Sequence, residues 1–203
     1  MLAILISAFV TLFVVVDPVG LGPIFVSLTP GMDSTQRRRI ALEASLIAFF
    51  VLAGTALFGN WLLTKLEISL SAFRIAGGLL LFAIAFEMVF GRRVARKAEA
   101  TPYGTASIAA FPLAIPLMAG PGAITAMLLL AGRMDANLVG LILLIATMGL
   151  ILAATFAVFL LAERLERILG AQGEAVLGRL LGVLLAALAV QYVADGILSL
   201  TPK

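Results

Sequence analysis

Apolar residues in this chain fall in long continuous runs, without the alternation of a half-buried strand or the one-sided spacing of a surface helix. Six runs can be read: about Leu2 to Leu28, Ile40 to Thr64, Ile75 to Phe90, Thr105 to Ala131, Asn137 to Ala162, and Leu180 to Leu200. Five reach the roughly 20 residues that carry a helix across a hydrocarbon core of about 30 Å. The third reaches that length when Leu70 to Arg74 are joined to its start. Asp33-Ser34-Thr35 offers a helix cap before the second run, and Thr101-Pro102 punctuates the connection before the fourth. The pattern predicts an all-α membrane protein with six transmembrane helices in a single domain, residues 1–203.

Composition strengthens that reading. Of 203 residues, 63% are hydrophobic and 12% charged, whereas soluble domains are about half apolar and about a quarter charged. The net charge is only +3, and the bases lie in short connections, which speaks for membrane orientation and against a nucleic-acid surface. With neither cysteine nor histidine, disulfides, thiol chemistry and His or Cys metal centres are excluded, and no metal or cofactor is expected. The first run is longer than a signal-peptide core and lacks its basic flank, so it reads as a retained span.

The connections after the first, third and fifth runs hold Arg37, Arg38, Arg39, Arg92, Arg93, Arg96, Lys97, Arg164, Arg167 and Arg179; the other side holds Lys65, Arg74, Arg133 and Lys203. The richer side should be cytoplasmic, which places both termini outside. Trp61 and Tyr192 fall near outer ends of their spans, where amphipathic rings prefer the interface. The Arg92 to Lys97 cluster is read as topology and lipid headgroup contact.

Two runs break their own rule. The first contains Asp17-Pro18-Val19-Gly20-Leu21-Gly22-Pro23, and the fourth contains Pro116-Leu117-Met118-Ala119-Gly120-Pro121-Gly122-Ala123-Ile124-Thr125. Proline removes a backbone donor and glycine loosens the chain, so helices one and four should be discontinuous. Irregular backbone at membrane depth is tolerated only against protein or a wet cavity. The breaks also correspond. A shift of 98 carries Pro18, Gly22 and Pro23 onto Pro116, Gly120 and Pro121, and Asp17 onto Ile115; a shift of 105 carries Arg74, Gly77 and Gly91 onto Arg179, Gly182 and Gly196. Units of three spans must insert in opposite senses, giving two inverted repeats, about 1–91 and 105–203, joined by loop 92–104.

Asp17-Pro18 and Gly120-Pro121 both read as helix starts. Half-helices beginning there would turn free N–H groups and positive dipole ends toward the protein centre, where they can hold a carboxylate; loosened carbonyls upstream could hold an ammonium. A small zwitterion satisfies both. The expected binding residues are Asp17, Pro18, Gly20, Leu21, Gly22 and Pro23 with Ala119, Gly120, Pro121, Gly122, Ala123 and Thr125. A charge at the bilayer centre costs roughly 2.5 to 3.5 kcal/mol, so Asp17 needs a reason: a helix cap, a proton or sodium relay, or a contact for a substrate amine. Glu43, Glu87 and Asp195 lie near span ends and read as structural, Asn60 and Gln191 as interhelical hydrogen-bond partners, and Gly178 with Gly182 as a small-residue seam.

Asp17-Pro18-Val19-Gly20-Leu21-Gly22-Pro23-Ile24-Phe25, together with Phe111-Pro112-Leu113-Ala114-Ile115-Pro116 continuing into Ala119-Gly120-Pro121-Gly122-Ala123-Ile124-Thr125, resembles the MarC-related family of integral membrane proteins, also described as neutral amino-acid transporter or SnatA-like. The likeness covers essentially the whole chain. It implies a multi-pass protein of a prokaryotic inner membrane that moves small neutral amino acids such as glycine and alanine. Combined with the inverted repeat, the expectation is a secondary transporter in contact with membrane lipids, coupled to H+ or Na+ with Asp17 as the ion-coupling residue. A small-solute channel, an exporter and a non-transporting assembly partner are the rival readings. An enzyme is not expected, because no His, Cys or lysine lies in a span to activate a nucleophile.

Overall fold

Hydrocarbon cannot hydrogen-bond to a peptide group, so a chain this apolar must pair its own backbone, and it does so entirely as helix. The computed structural model describes residues 2–90, 108–134 and 137–200. Its elements are α1 (Leu2–Val16), α2 (Pro18–Leu28), α3 (Ser34–Lys65), α4 (Leu70–Val89), an irregular wide-turned segment (Ala109–Met118), α5 (Pro121–Gly132) and α6 (Leu138–Leu200). Five stretches are long and apolar enough to cross a membrane: Ile4–Leu28, Ser34–Lys65, Leu70–Val89, Leu138–Ala162 and Ala175–Leu200. The segment Ala109–Met118 with α5 makes a sixth if that pair, bent by 55°, is one span. Five of the six predicted spans are therefore present at their predicted places, the fourth corresponds to that bent pair, and the third does begin at Leu70. Loop 92–104, with its basic cluster and Thr101-Pro102, lies outside the described residues, as does Gly91.

A straight helix as long as α6 would measure about 95 Å. The chain instead reverses within it. Arg133, just before α6, reaches Asp195 near its end at 3.7 Å, so both ends lie on one face of the bundle. The first stretch, Leu138–Ala162, packs on α2 and α3: Phe159 stacks on Phe25 at 4.6 Å, and Phe49 packs at Gly149. The last stretch runs antiparallel to α4, with Gly196 at Ile75, Gly78 at Val193 and Gly182 at Met88.

Lipid tails are as apolar as leucine, so helices associate in a membrane by close packing more than by solvent exclusion. The α4–α6 seam shows how. A Cβ added at Gly78 would lie 2.8 Å from the Ala189 carbonyl oxygen, and one at Gly196 would lie 3.0 Å from that of Ser71. Only glycine lets these backbones come so near. The seam differs in part from expectation: Gly182 sits in it, but Gly178 faces open space. On α3 the buried stripe Ala41, Ala44, Ala48, Leu52, Ala56 and Gly59 recurs every three or four residues, while Phe50, Phe58 and Trp61 point outward. Such outward apolar surface belongs against lipid.

The helix ends are secured locally. Asp33 caps α3 in a reciprocal capping box with Gln36, Ser69 caps α4, and the Asn137 side chain accepts from Val139 and Gly140 at the start of α6. At the end of α2, the buried Thr29 hydroxyl donates to the Phe25 carbonyl, and Arg37 donates to the Thr29 carbonyl at 3.1 Å. Glu43 pairs with Arg39 on the exposed side of α3, a structural role as expected. Gln191 bonds within its own helix, to Asp195, instead of across helices. Tyr192, expected at the interface, is instead buried.

The seams predict a contrast. Gly77→Val, which would drive into Thr125, should destabilise the protein by about 1–3 kcal/mol through overpacking. Gly54→Ala, with nothing within 4 Å, should be neutral or stabilising by under about 1 kcal/mol. Thermal unfolding in detergent, followed by monodispersity, compares the two.

Candidate functional site

Asp17 ends one helix and begins the next. Its N–H donates to the Phe13 carbonyl at 2.9 Å, closing the last turn of α1, and its own carbonyl accepts from the Leu21 N–H at 3.1 Å, opening α2. At the joint its backbone is left-handed, φ 52 and ψ 65, a region that aspartate tolerates far better than bulkier residues. The carboxylate folds over the new helix, Oδ1 accepting from the Gly20 N–H at 3.1 Å. A side chain at Gly20 would collide with that carboxylate, which explains the glycine. Among the roles left open for Asp17 by the sequence, the helix cap is the one its hydrogen bonds display.

This junction has a consequence upstream. Pro18 fills the first helical position without an N–H to offer the Val14 carbonyl, and the Gly20 N–H goes to Asp17. The Val14 carbonyl thus lacks the α2 N–H that a continuous helix would give it, and the Val15 and Val16 carbonyls lie at the same junction. All three residues are buried, with Asp17 itself only 6% exposed.

The second break is built differently. The Phe111–Pro112 and Ile115–Pro116 peptides are cis, Phe111 and Ile115 leave helical dihedrals, and the Ala119 N–H reaches back five residues to the Ala114 carbonyl at 2.8 Å. The chain then extends at Gly120, φ −80 and ψ 176, and α5 starts at Pro121. Gly120 is close-packed on the Pro116 carbonyl, with no room for a Cβ. The Ile124 N–H donates to the Gly120 carbonyl at 2.9 Å, but no side chain caps this helix start. The N–H groups of Gly122 and Ala123 therefore open α5 in buried surroundings without a side-chain acceptor.

The two breaks meet. A Cβ placed on Gly122 would lie 3.3 Å from Val15 Cγ1 and 2.9 Å from Leu81 and Ile84 of α4. The carbonyl end of α1 and the amide end of α5 thus lie side by side, negative helix end by positive helix end. Of the expected binding residues, Gly122 makes this contact, Asp17 and Gly20 stand at the α1–α2 junction, and Ala119, Gly120 and Ala123 stand at the start of α5. Pro18 and Leu21 are buried in α2, Pro23 is half-buried within it, and Pro121 is exposed. Gly22 turns instead toward Val158 and Ala162, and Thr125 fills the space over Gly77, so both serve helix seams.

The sequence pointed to loosened carbonyls upstream of the break, and the proline four residues after Val14 singles out the Val14 carbonyl. The sequence did not point to Ser45, whose buried hydroxyl has no hydrogen-bond partner among the described residues. Nothing but its place on the small-residue stripe of α3 could have pointed to it.

Five or six membrane-length stretches, with Pro-Gly motifs at residues 17–23 and 116–122, invite comparison with known proteins. Residues 2–201 match the family described as MarC family integral membrane protein. The chain belongs to that family. A UPF0056 membrane protein of Methanocaldococcus jannaschii is 38% identical over 196 residues, covering 95% of each chain. The UPF0056 membrane protein YhcE of Escherichia coli is 34% identical, covering 96% of this chain and 92% of its own. YvbG of Bacillus subtilis, described in the same words, is 31% identical over 100% of this chain and 98% of its own. No solved structure matches. This MarC-family protein is therefore a multi-pass integral membrane protein.

Because the Asp17 side chain caps α2, Asp17→Ala should lower stability by about 1 kcal/mol, while Asp17→Asn, which keeps both the cap and the left-handed backbone, should stay close to the parent. Thermal unfolding of the three proteins in one detergent measures the difference.

Proposed function

We propose that this MarC-family protein is a secondary transporter of small neutral amino acids, glycine and alanine among them, in a prokaryotic inner membrane. One observation carries the reading: the start of α5, which has no side-chain cap, lies beside the C-terminal end of α1 through the contact of Gly122 with Val15, in buried surroundings that include Ala119 and Ala123. The N–H groups of Gly122 and Ala123 would hold a substrate carboxylate, and the carbonyls of Val14 to Val16 its ammonium. The substrate's two charges then replace missing helical partners, which suits a zwitterion and no singly charged ion. Glycine and alanine at these positions suit a side chain no larger than hydrogen or methyl. A charged side chain would bring an uncompensated charge to membrane depth.

Movement of that site between the two faces rests on two inverted three-span repeats rocking about it, with spans one and four as the discontinuous pair. The packing supports the repeat. The shift of 105 that carries Gly77 to Gly182 also carries the contact of Gly78 with Val193 to within one residue of the contact of Gly182 with Met88. Asp17 and Ile115, equivalent by the shift of 98, both leave helical dihedrals. Phe49 and Gly149, in contact across spans two and five, are separated by an interval between those two shifts. The unequal sharing of bases supports termini on the outer face. Asp17, a buried carboxylate at the junction, is the residue through which H+ or Na+ would be linked to transport.

Proteoliposomes loaded with unlabelled alanine should take up labelled glycine by saturable counterflow. Ala123→Leu should reduce that rate about tenfold or more, since losing about 1.4 kcal/mol of binding already gives that factor. Asp17→Asn should retain counterflow while removing the effect of an imposed ion gradient on net uptake. Flux without saturation would indicate a channel, and no flux an assembly partner; either overturns the proposal.

A further inference from the structure

On the face of the bundle that carries the N-terminus, polar side chains from four elements converge. Arg133, immediately after α5, sets Nη2 at 3.7 Å from Asp195 Oδ2 and its guanidinium carbon 5.7 Å from the centre of the Tyr192 ring. Gln191 Nε2 donates to Asp195 Oδ1 at 2.7 Å, fixing the carboxylate. The Tyr192 phenol is near the Thr11 hydroxyl of α1 and within electrostatic range of Arg74 of α4. The side chains of Arg133 and Asp195 remain 35% and 33% exposed, whereas Tyr192 is 1% exposed and heads the largest fully buried side chains. The ion pair is therefore partly exposed at that face, and the Tyr192 ring is a buried plug of side chain beneath it.

The plug occupies the level between that face and the meeting of the two breaks. Thr11 is six residues from Asp17 along the chain, about 9 Å of helix, and Arg133 is separated from the open start of α5 by about 18 Å of helix. Its members divide between the two halves of the chain: Thr11 and Arg74 belong to the first, and Arg133, Tyr192 and Asp195 to the second. A half-exposed ion pair and a cation–π contact are each weak. Such contacts suit a closure that must open and reform in every cycle, unlike the glycine seams, which hold backbone on backbone.

We propose that Tyr192, beside Thr11 and clamped under the Arg133–Asp195 pair, is the gate that shuts the substrate site from the N-terminal face. The inference rests on the transport reading and adds the closing element to it. Because the chain has no cysteine, Ala123→Cys supplies a single thiol at the site. Sealed vesicles of known orientation are treated with a membrane-impermeant maleimide from one face at a time. With the gate intact, labelling from the N-terminal face should be slow; Tyr192→Ala should speed it about tenfold or more from that face alone, and Asp195→Asn should do so more modestly. Tyr192→Phe, which keeps the plug and removes the hydroxyl near Thr11, should fall between parent and Tyr192→Ala. An unchanged rate in Tyr192→Ala, or an equal rise from both faces, would make Tyr192 a packing residue and overturn the gate. Labelling needs no amino acid, so failure of the gate is read here, and failure of the transport reading is read separately as absent counterflow.

Discussion

Backbone hydrogen bonding in a medium without water is the constraint on which this structure depends. Every N–H and C=O held in the hydrocarbon needs a partner, and a helix supplies one for each group except at its ends. Most of this chain keeps its ends at the faces, under ordinary caps such as Asp33, Ser69 and Asn137. Spans one and four place ends in the interior, at Asp17 and at Gly120. These two ends meet: the contact between Val15 and Gly122 brings the C-terminal end of α1 beside amides that lack a side-chain cap.

Close packing makes that arrangement possible. Gly20 leaves space for the Asp17 carboxylate, Gly120 for the Pro116 carbonyl, and Gly122 for α1 and α4 at once. Around them Gly77, Gly78, Gly182 and Gly196 draw α4 and the last stretch of α6 into near backbone contact. The two kinds of contact have different mechanical meaning. Glycine seams make rigid units, while the cluster of Arg133, Asp195 and Tyr192 is polar, weak and placed toward one face.

Spans, caps and breaks were legible in the sequence because each has a local cause. Apolar length predicts a span, found for five of the six; Asp33-Ser34-Thr35 predicts a cap, and Pro18 after Asp17 predicts a helix start, both found as expected. Contacts between distant segments were not legible. Nothing local says that Tyr192, an amphipathic ring near a span end, is buried against Thr11 instead of resting at the interface. Nor could spacing tell that Gly182 meets α4 while Gly178 meets nothing, since that depends on where the neighbouring helix crosses. Within the site, the prolines pointed both to the glycines beside them and to the loosened carbonyls upstream, but not to the contact of Val15 with Gly122, which joins segments distant in the chain.

The meeting of the two breaks is tested most directly by joining them. In this cysteine-free chain, Val15→Cys with Gly122→Cys places two thiols where Val15 Cγ1 now approaches within 3.3 Å of the Gly122 Cβ position, inside the range a disulfide can bridge. Mild oxidation in native membranes should form an intramolecular cross-link rapidly in this pair, and slowly or not at all when Val15→Cys is combined with Gly54→Cys. A folded double variant whose thiols at 15 and 122 stay reduced under the same oxidant would show that the broken spans do not meet.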